Sequence, residues 1–237
     1  MTLDFLSVRP LGNGQTQGFL MKNFFALLYG AVLLLLQACA GTPLSATTSE
    51  ADFKTKAVVI LSVSHDQGAA DGAEAIFYMD IDRFPGSVVV RSMKTTLSIP
   101  QASDFSDRRG HVYALELEPG HHTIDGWQVA SAGARIYPRV RAPALKFDVQ
   151  AGQVLYLGNL HAQLTLGHQM LFGNRAAYGA VPVVQDKSTQ DIAIAEKLTP
   201  TLKGRIQSAL LPLGPWMVGK ETERRTDPLL MPLMPKK

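Results

Sequence analysis

The sequence predicts a mainly β fold, an antiparallel sandwich, and three observations point to it. Short β-branched runs recur about every 8–12 residues, Gly or Pro turns separate them, and helical periodicity is delayed until about residue 186. Val58-Val59-Ile60-Leu61-Ser62-Val63 is the first run, suited to a buried strand. After the turn region Gly68–Gly72 comes Ala75-Ile76-Phe77-Tyr78-Met79-Asp80-Ile81, closed by Phe84-Pro85-Gly86. Val88-Val89-Val90 and Thr95–Ile99 follow, with Pro100 marking an edge or an end.

The clearest strand–turn–strand unit is Val112–Leu117, Glu118-Pro119-Gly120, then Thr123–Val129. Val112, Ala114 and Glu116 fall on one face and Tyr113, Leu115 and Leu117 on the other, the period of two of a half-buried strand. Pro119-Gly120 suits the central positions of a type II turn, where Gly accepts positive φ. Leu145–Val149, Ala151-Gly152 and Val154–Leu160 read as a further pair. The pattern then turns helical. Ser188–Lys197 opens on a capping-box-like Ser188…Asp191, and Thr199-Pro200 reads as the start of a second short helix. Leu202, Ile206, Ala209 and Leu210 would form its apolar stripe, although Gly204 costs such a helix about 1 kcal/mol relative to Ala. Pro212, Pro215, Pro228, Pro232 and Pro235 suit neither a helix nor a sheet interior, so 212–237 reads as a poorly ordered tail.

Composition narrows the function classes. At 46% hydrophobic, the 237 residues can build a core. The formal charge of +3 falls to +2 without residues 1–38, whose Arg9, Lys22 and Asp4 sum to +1. No basic stripe with interleaved aromatics appears, which argues against nucleic acid as a partner. The single cysteine, Cys39, forbids a disulfide framework, so the fold must stand on its core.

Lys22 is followed by the uncharged run Phe24–Leu36, short of the roughly 20 residues that span a bilayer as a helix. A charged start, a short apolar run and small residues beyond it describe a secretory signal. The run ends in Leu36-Gln37-Ala38-Cys39, which resembles the lipobox of bacterial lipoproteins. The resemblance implies cleavage before Cys39, a diacylglyceryl group on its sulfur and a further acyl chain, commonly palmitate, on the new amine. Two or three chains hold a protein on a membrane stably without a spanning helix. Ala40 stands where lipoproteins kept at the inner membrane commonly carry Asp, which by resemblance to the Gram-negative sorting rule favours the outer membrane, facing the periplasm. The inner membrane and the cell surface remain open, as does Met21 as the true start.

Tyr113–Gly120 with Thr123-Ile124, and Phe147–Asn159, resemble uncharacterised proteobacterial lipoproteins with transthyretin-like (prealbumin-like) β-sandwiches. That resemblance implies a transthyretin-like sandwich and carries no catalytic residues. The expected organisation is a signal at 1–38, a lipidated flexible tether at 39–55 and a sandwich at 56–185. Helices at 186–211 pack on it, and the Pro-rich tail follows at 212–237.

The chemistry-bearing residues give no recognised site. His121 and His122 are adjacent and point to opposite faces of an extended segment, and His161 and His168 are seven apart. Neither spacing suits a metal, so neither metal nor other cofactor is expected. Ser62, Ser64, Ser92 and Ser98 lie outside any nucleophile elbow, and Asp80, Asp82, Asp104 and Asp107 read as turn residues. Lipidation of Cys39 is therefore the one assigned chemistry, and no catalysis is expected. The function expected is a membrane-anchored interaction or structural module of the cell envelope with a protein partner of open identity. Trp127 and Tyr137 are the candidate partner surface. A small-ligand or carbohydrate binder using a sheet face near Trp127 is the alternative, and an envelope hydrolase the third.

Overall fold

The computed structural model describes residues 54–68, 73–82, 86–96, 99–169, 175–219 and 222–226. Cys39, the expected signal at 1–38, the expected tether as far as residue 53 and residues 227–237 lie outside them. In chain order the strands are β1 (Ala57–His65), β2 (Glu74–Met79), β3 (Val88–Arg91), β4 (Thr95–Thr96), β5 (Ile99–Pro100), β6 (Arg109–Leu117) and β7 (Gly120–Ser131). Then come β8 (Ala134–Pro138), β9 (Leu145–Val149), β10 (Val154–Gln169) and β11 (Arg175–Gln185). Helix α1 (Ser188–Leu198), a 3₁₀ turn at Pro200–Leu202, β12 (Gln207–Ser208), β13 (Gly214–Pro215) and β14 (Thr222–Thr226) complete the order.

Two sheets face each other. Sheet one runs β13-β11-β10-β1-β6 with β12 beside β10, sheet two runs β14-β8-β7-β2-β3 with β9 beside β7, and β4 and β5 form a small ribbon. The expected β-rich sandwich is thus present. β1 explains the layering, because all nine of its residues are buried. Ala57, Val59, Leu61 and Val63 point between the sheets and join Phe77, Trp127, Ile136 and Leu157 in the main core. Val58 and Ile60 point the other way, into a second cluster with Tyr156, Ala195 and Leu202 beneath the helical segment. Each fully buried large side chain contributes about 1.5–3 kcal/mol, so a strand apolar on both faces must sit inside. β6 keeps the alternation expected of it, with Leu115 and Leu117 in the main core and Val112 in the second cluster. Its edge is tied to the edge of sheet two by Tyr113, whose O–H donates to Arg91 O at 2.6 Å and whose oxygen accepts the Arg91 N–H at 3.2 Å.

Five expectations need correction. Glu118-Pro119-Gly120 does not close a hairpin: β6 pairs with β1 in sheet one, while β7 pairs with β2, β8 and β9 in sheet two. The turn is an arch between sheets, with Gly120 at φ +140°. Ala151-Gly152 is likewise an arch, from β9 in sheet two to β10 in sheet one. Alternation fixes which face of a strand is buried, but two strands lining one core from opposite walls show the same alternation as a hairpin. Nor are the sheets wholly antiparallel, since β1 and β10 run parallel, as do β10 and β12.

The second helix is a single 3₁₀ turn. Gly204 sits at φ +73°, and the chain beyond it extends to pair with β10. Ile206 and Leu210 still pack on the second cluster, so the apolar stripe is used by extended backbone. Part of the expected loose tail is integral to the fold. Gly214-Pro215 pairs with β11, and the Trp216 ring stacks 6.4 Å from Phe77 while its Nε1–H donates to Pro143 O at 2.7 Å. Thr222–Thr226 then completes sheet two against β8.

Candidate functional site

Beneath α1 the outward face of sheet one turns polar. β1 places Ser62 and Ser64 after Ile60 on that face, and β10 places Asn159 and His161 beside them in parallel register. Asp191 does not cap its helix; it points inward and is wholly buried. Its Oδ2 accepts the Ser62 hydroxyl at 2.5 Å and the Tyr156 hydroxyl at 2.7 Å, and its Oδ1 accepts Arg108 Nη2 at 2.8 Å. Arg108 is buried too, donating to Gln190 at 2.7 Å and lying 3.6 Å from the Phe105 ring centre. Burial pushes the Asp191 carboxyl up, against the pull of both hydroxyls and Arg108. The Tyr156 phenol is driven upward by burial and by that carboxylate.

The chain of bonds continues along the face. Asn159 Nδ2 donates to Ser62 Oγ at 2.6 Å and to Ser64 Oγ at 3.0 Å. Ser64 Oγ lies 2.9 Å from His161 Nδ1, His161 Nε2 lies 3.0 Å from Asp66 Oδ1, and Asp66 Oδ2 accepts the Leu164 N–H at 2.7 Å. Burial lowers the proton affinity of His161, leaving a neutral ring that donates from Nε2 and accepts at Nδ1. Serine, imidazole and carboxylate are thus at triad distances. Ser64 is nevertheless wholly buried, and its oxygen is held by Asn159 as well as by the imidazole. A reacting carbonyl needs an open path of about 3 Å to the nucleophile. Here that space is filled, and the chain of bonds fastens β1 to β10.

A second buried pair stands at the start of β7. Asp80 adopts φ 52°, the left-handed region that Asp tolerates better than most residues, and is 4% exposed. Its carboxylate meets His122 Nδ1 and accepts the Thr123 N–H at 2.9 Å; His122 Nε2 lies 2.8 Å from Glu118 O. The pair locks the arch into β7. His121 points outward to Asp148, so the two histidines do take opposite faces.

The third group lies on the outer face of sheet two. Phe77, Trp127, Val129 and Ile136 face the core, so their neighbours along each strand face outward. Glu74, Tyr78, Arg91, Arg135, Tyr137 and Arg225, from four strands, share this side. Arg91 Nη1 bonds Glu74 Oε2 at 3.0 Å, and Arg225 Nε bonds Glu223 Oε1 at 3.1 Å. Burial pushes the Tyr78 phenol up, with Arg91 and Arg135 pulling it down and Tyr137 and Glu74 adding to the rise. These side chains therefore form one electrostatic cluster.

The sequence candidates are thus distributed. Tyr137 is half-buried on this outer face, whereas Trp127 is 3% exposed and packed between the sheets, so it offers no free surface. Its Nε1, His65 Nε2 and Arg108 Nε are buried without a hydrogen-bond partner among the described residues, at a cost of about 1–3 kcal/mol each. Asp104 accepts the Val112 N–H at 2.9 Å, Asp107 bonds Arg108 at 3.0 Å, and Asp82 is exposed. Cys39 and Ser98 lie outside the described residues, and nothing is described of the His168 side chain. Sequence reading missed Arg108, Asn159 and Asp191, whose one visible trace is the interruption of an apolar β1 by Ser62 and Ser64. Among the described residues no group of three metal-ligating side chains converges, and no helix is long and apolar enough to cross a membrane. Comparison with protein-family models, curated proteins and solved structures returned no significant match.

Proposed function

We propose that the chain is a bacterial lipoprotein with a transthyretin-like body, held by acyl chains on Cys39 at the outer membrane and facing the periplasm. It serves as an interaction module of the cell envelope and docks a protein partner on the outer face of sheet two. The observation that carries this reading is the Tyr78–Tyr137–Arg135 cluster, since Tyr and Arg are the residue types enriched at protein interfaces. Charge names the partner's chemistry. Glu74 and Glu223 each already bond an arginine, while Arg135 makes no ion pair among the described residues. A partner that sets a carboxylate against Arg135 completes the pattern.

A photocrosslinking residue in place of Tyr137, in intact cells, is expected to capture one protein through a segment containing Asp or Glu. Arg135→Glu lowers that yield at least about tenfold, the scale of one lost charge-assisted contact. A control crosslinker at exposed Lys197 captures nothing. Equal yields at both positions, or no effect of Arg135→Glu, would overturn the docking face.

The anchor has its own test. Cys39→Ser is expected to move the protein from the detergent phase to the aqueous phase, or to leave it uncleaved. The native product should carry a diacylglyceryl mass on an N-terminal Cys39. A bare thiol, or unchanged partitioning of Cys39→Ser, sinks the lipoprotein assignment.

A further inference from the structure

At one end of the sandwich the space between the sheets opens into a cavity of about 260 Å³. Its walls come from the exit of β3 (Ser92, Met93), the segment around Pro100 and Ala102, and the start of β6 (Arg109, His111). The mouth of a sandwich is where apolar side chains usually run out, so water or a ligand meets the ends of the strands. Here the strand ends turn polar while still buried: His65, Ser92 and His111 are each 3% exposed or less. Ser92 Oγ accepts the Ala75 N–H at 2.8 Å and lies 2.8 Å from His65 Nδ1, so the cavity floor continues into the histidine behind it. Apolar Met93, Pro100 and Ala102 also line it, together with Gln101, Ser103 and Gly110.

Charged groups of both signs flank the space. Arg109 lies on its wall, and Lys94 beside it donates to Val112 O at 3.1 Å and sits 4.2 Å from the Tyr113 ring centre. Against them stands Asp104, 3.3 Å from His111 Nδ1 and already accepting the Val112 N–H. Burial, and after it the Arg109 charge, pushes His65 down to about 4 against the pull of the Asp66 carboxylate, so the ring behind the floor is neutral. The volume is a little below the roughly 300 Å³ at which pockets for drug-sized molecules begin.

We infer that this cavity is a binding site for a small organic monocarboxylate. The carboxylate lies against Arg109 at the mouth, and the short carbon skeleton rests on Met93, Pro100 and Ala102. The inference is independent of the docking face, which lies on the outside of sheet two and shares none of these residues.

The test is calorimetric titration and thermal denaturation of the detergent-solubilised full chain with butyrate and benzoate, with butyramide as the uncharged match. Saturable binding and a rise in Tm are expected for the acids and not for the amide. Arg109→Gln is expected to weaken butyrate at least about tenfold, the scale of one charge-assisted hydrogen bond. Ala102→Phe, which fills the cavity, is expected to abolish binding, with circular dichroism reporting that the fold is kept. No binding of either acid up to about 10 mM, beyond the millimolar range of the weakest ligands, would overturn the site. So would equal affinity for butyramide, or unchanged butyrate binding by Arg109→Gln or Ala102→Phe.

Discussion

Replacing Asp191 with Ala is expected to lower the unfolding free energy by about 3–5 kcal/mol, the cost of leaving a buried charge without its partner. Asp191 is wholly buried, and Arg108, its charged partner at 2.8 Å, is 3% exposed, so water cannot reach in to compensate. Ser62 and Tyr156 lose the same acceptor, which places the expected effect toward the upper end. For a domain of this size about 2–4 °C accompanies each kcal/mol, so the melting temperature should fall by roughly 6–20 °C. The double variant Arg108→Met with Asp191→Leu removes both charges and keeps side chains that can pack on Phe105 and Ala195. It should be more stable than Asp191→Ala alone, because the desolvation cost of the ion pair disappears with the pair. Urea denaturation of the wild type, Arg108→Met, Asp191→Leu and the double variant closes a cycle that measures this coupling. A loss below about 1 kcal/mol for Asp191→Ala, or strict additivity in the cycle, would show that the network does not hold α1 to sheet one.

The same residue shows where sequence reading stops. Asp191 stands three positions after Ser188, and that spacing alone suggests a helix cap. What turns it inward is a set of partners 35 to 129 residues away, Tyr156, Arg108 and Ser62. No local pattern carries that information. The strands themselves were legible, since burial on one side imposes a period of two on β6 and burial on both sides makes β1 continuously apolar. Their partners were not. Pro119-Gly120 and Gly152 look like hairpin turns, but the strands they join lie in opposite sheets. Distinguishing arch from hairpin requires knowing which third strand each pairs with. Trp127 illustrates the same limit for the candidate site. Alternation places Trp127 and Gln128 on opposite faces of β7, and only the position of sheet one decides which of those faces is the core. Tyr137 lies on the outer face of sheet two, yet its neighbours there, Arg135 and Tyr78, come from strand register alone.

A second effect of comparable size is expected on acidification, and it comes from His65. Its ring is 1% exposed between the sheets, Nδ1 meets Ser92 Oγ at 2.8 Å, and Nε2 has no hydrogen-bond partner among the described residues. Burial first, then the positive charge of Arg109, lowers its proton affinity from the ordinary 6.5 to about 4. The unfolded chain therefore binds a proton below pH 6.5 that the folded chain refuses until about pH 4. Stability rises with pH wherever the unfolded state holds more protons, so this contribution is full above about pH 6.5 and drains as pH falls toward about 4. The difference corresponds to about 3 kcal/mol. His161, lowered in the same direction by its own burial, adds to the slope, so the wild-type curve alone does not isolate His65. His65→Asn does, because the amide can still bond Ser92 and carries no titratable group. Chemical denaturation at intervals from pH 7.5 to 4 should show the wild type losing about 3 kcal/mol more than His65→Asn. If the two curves stay parallel through that window, the ring titrates alike in both states, and the polar end of the sandwich is open to water rather than sealed by the sheets.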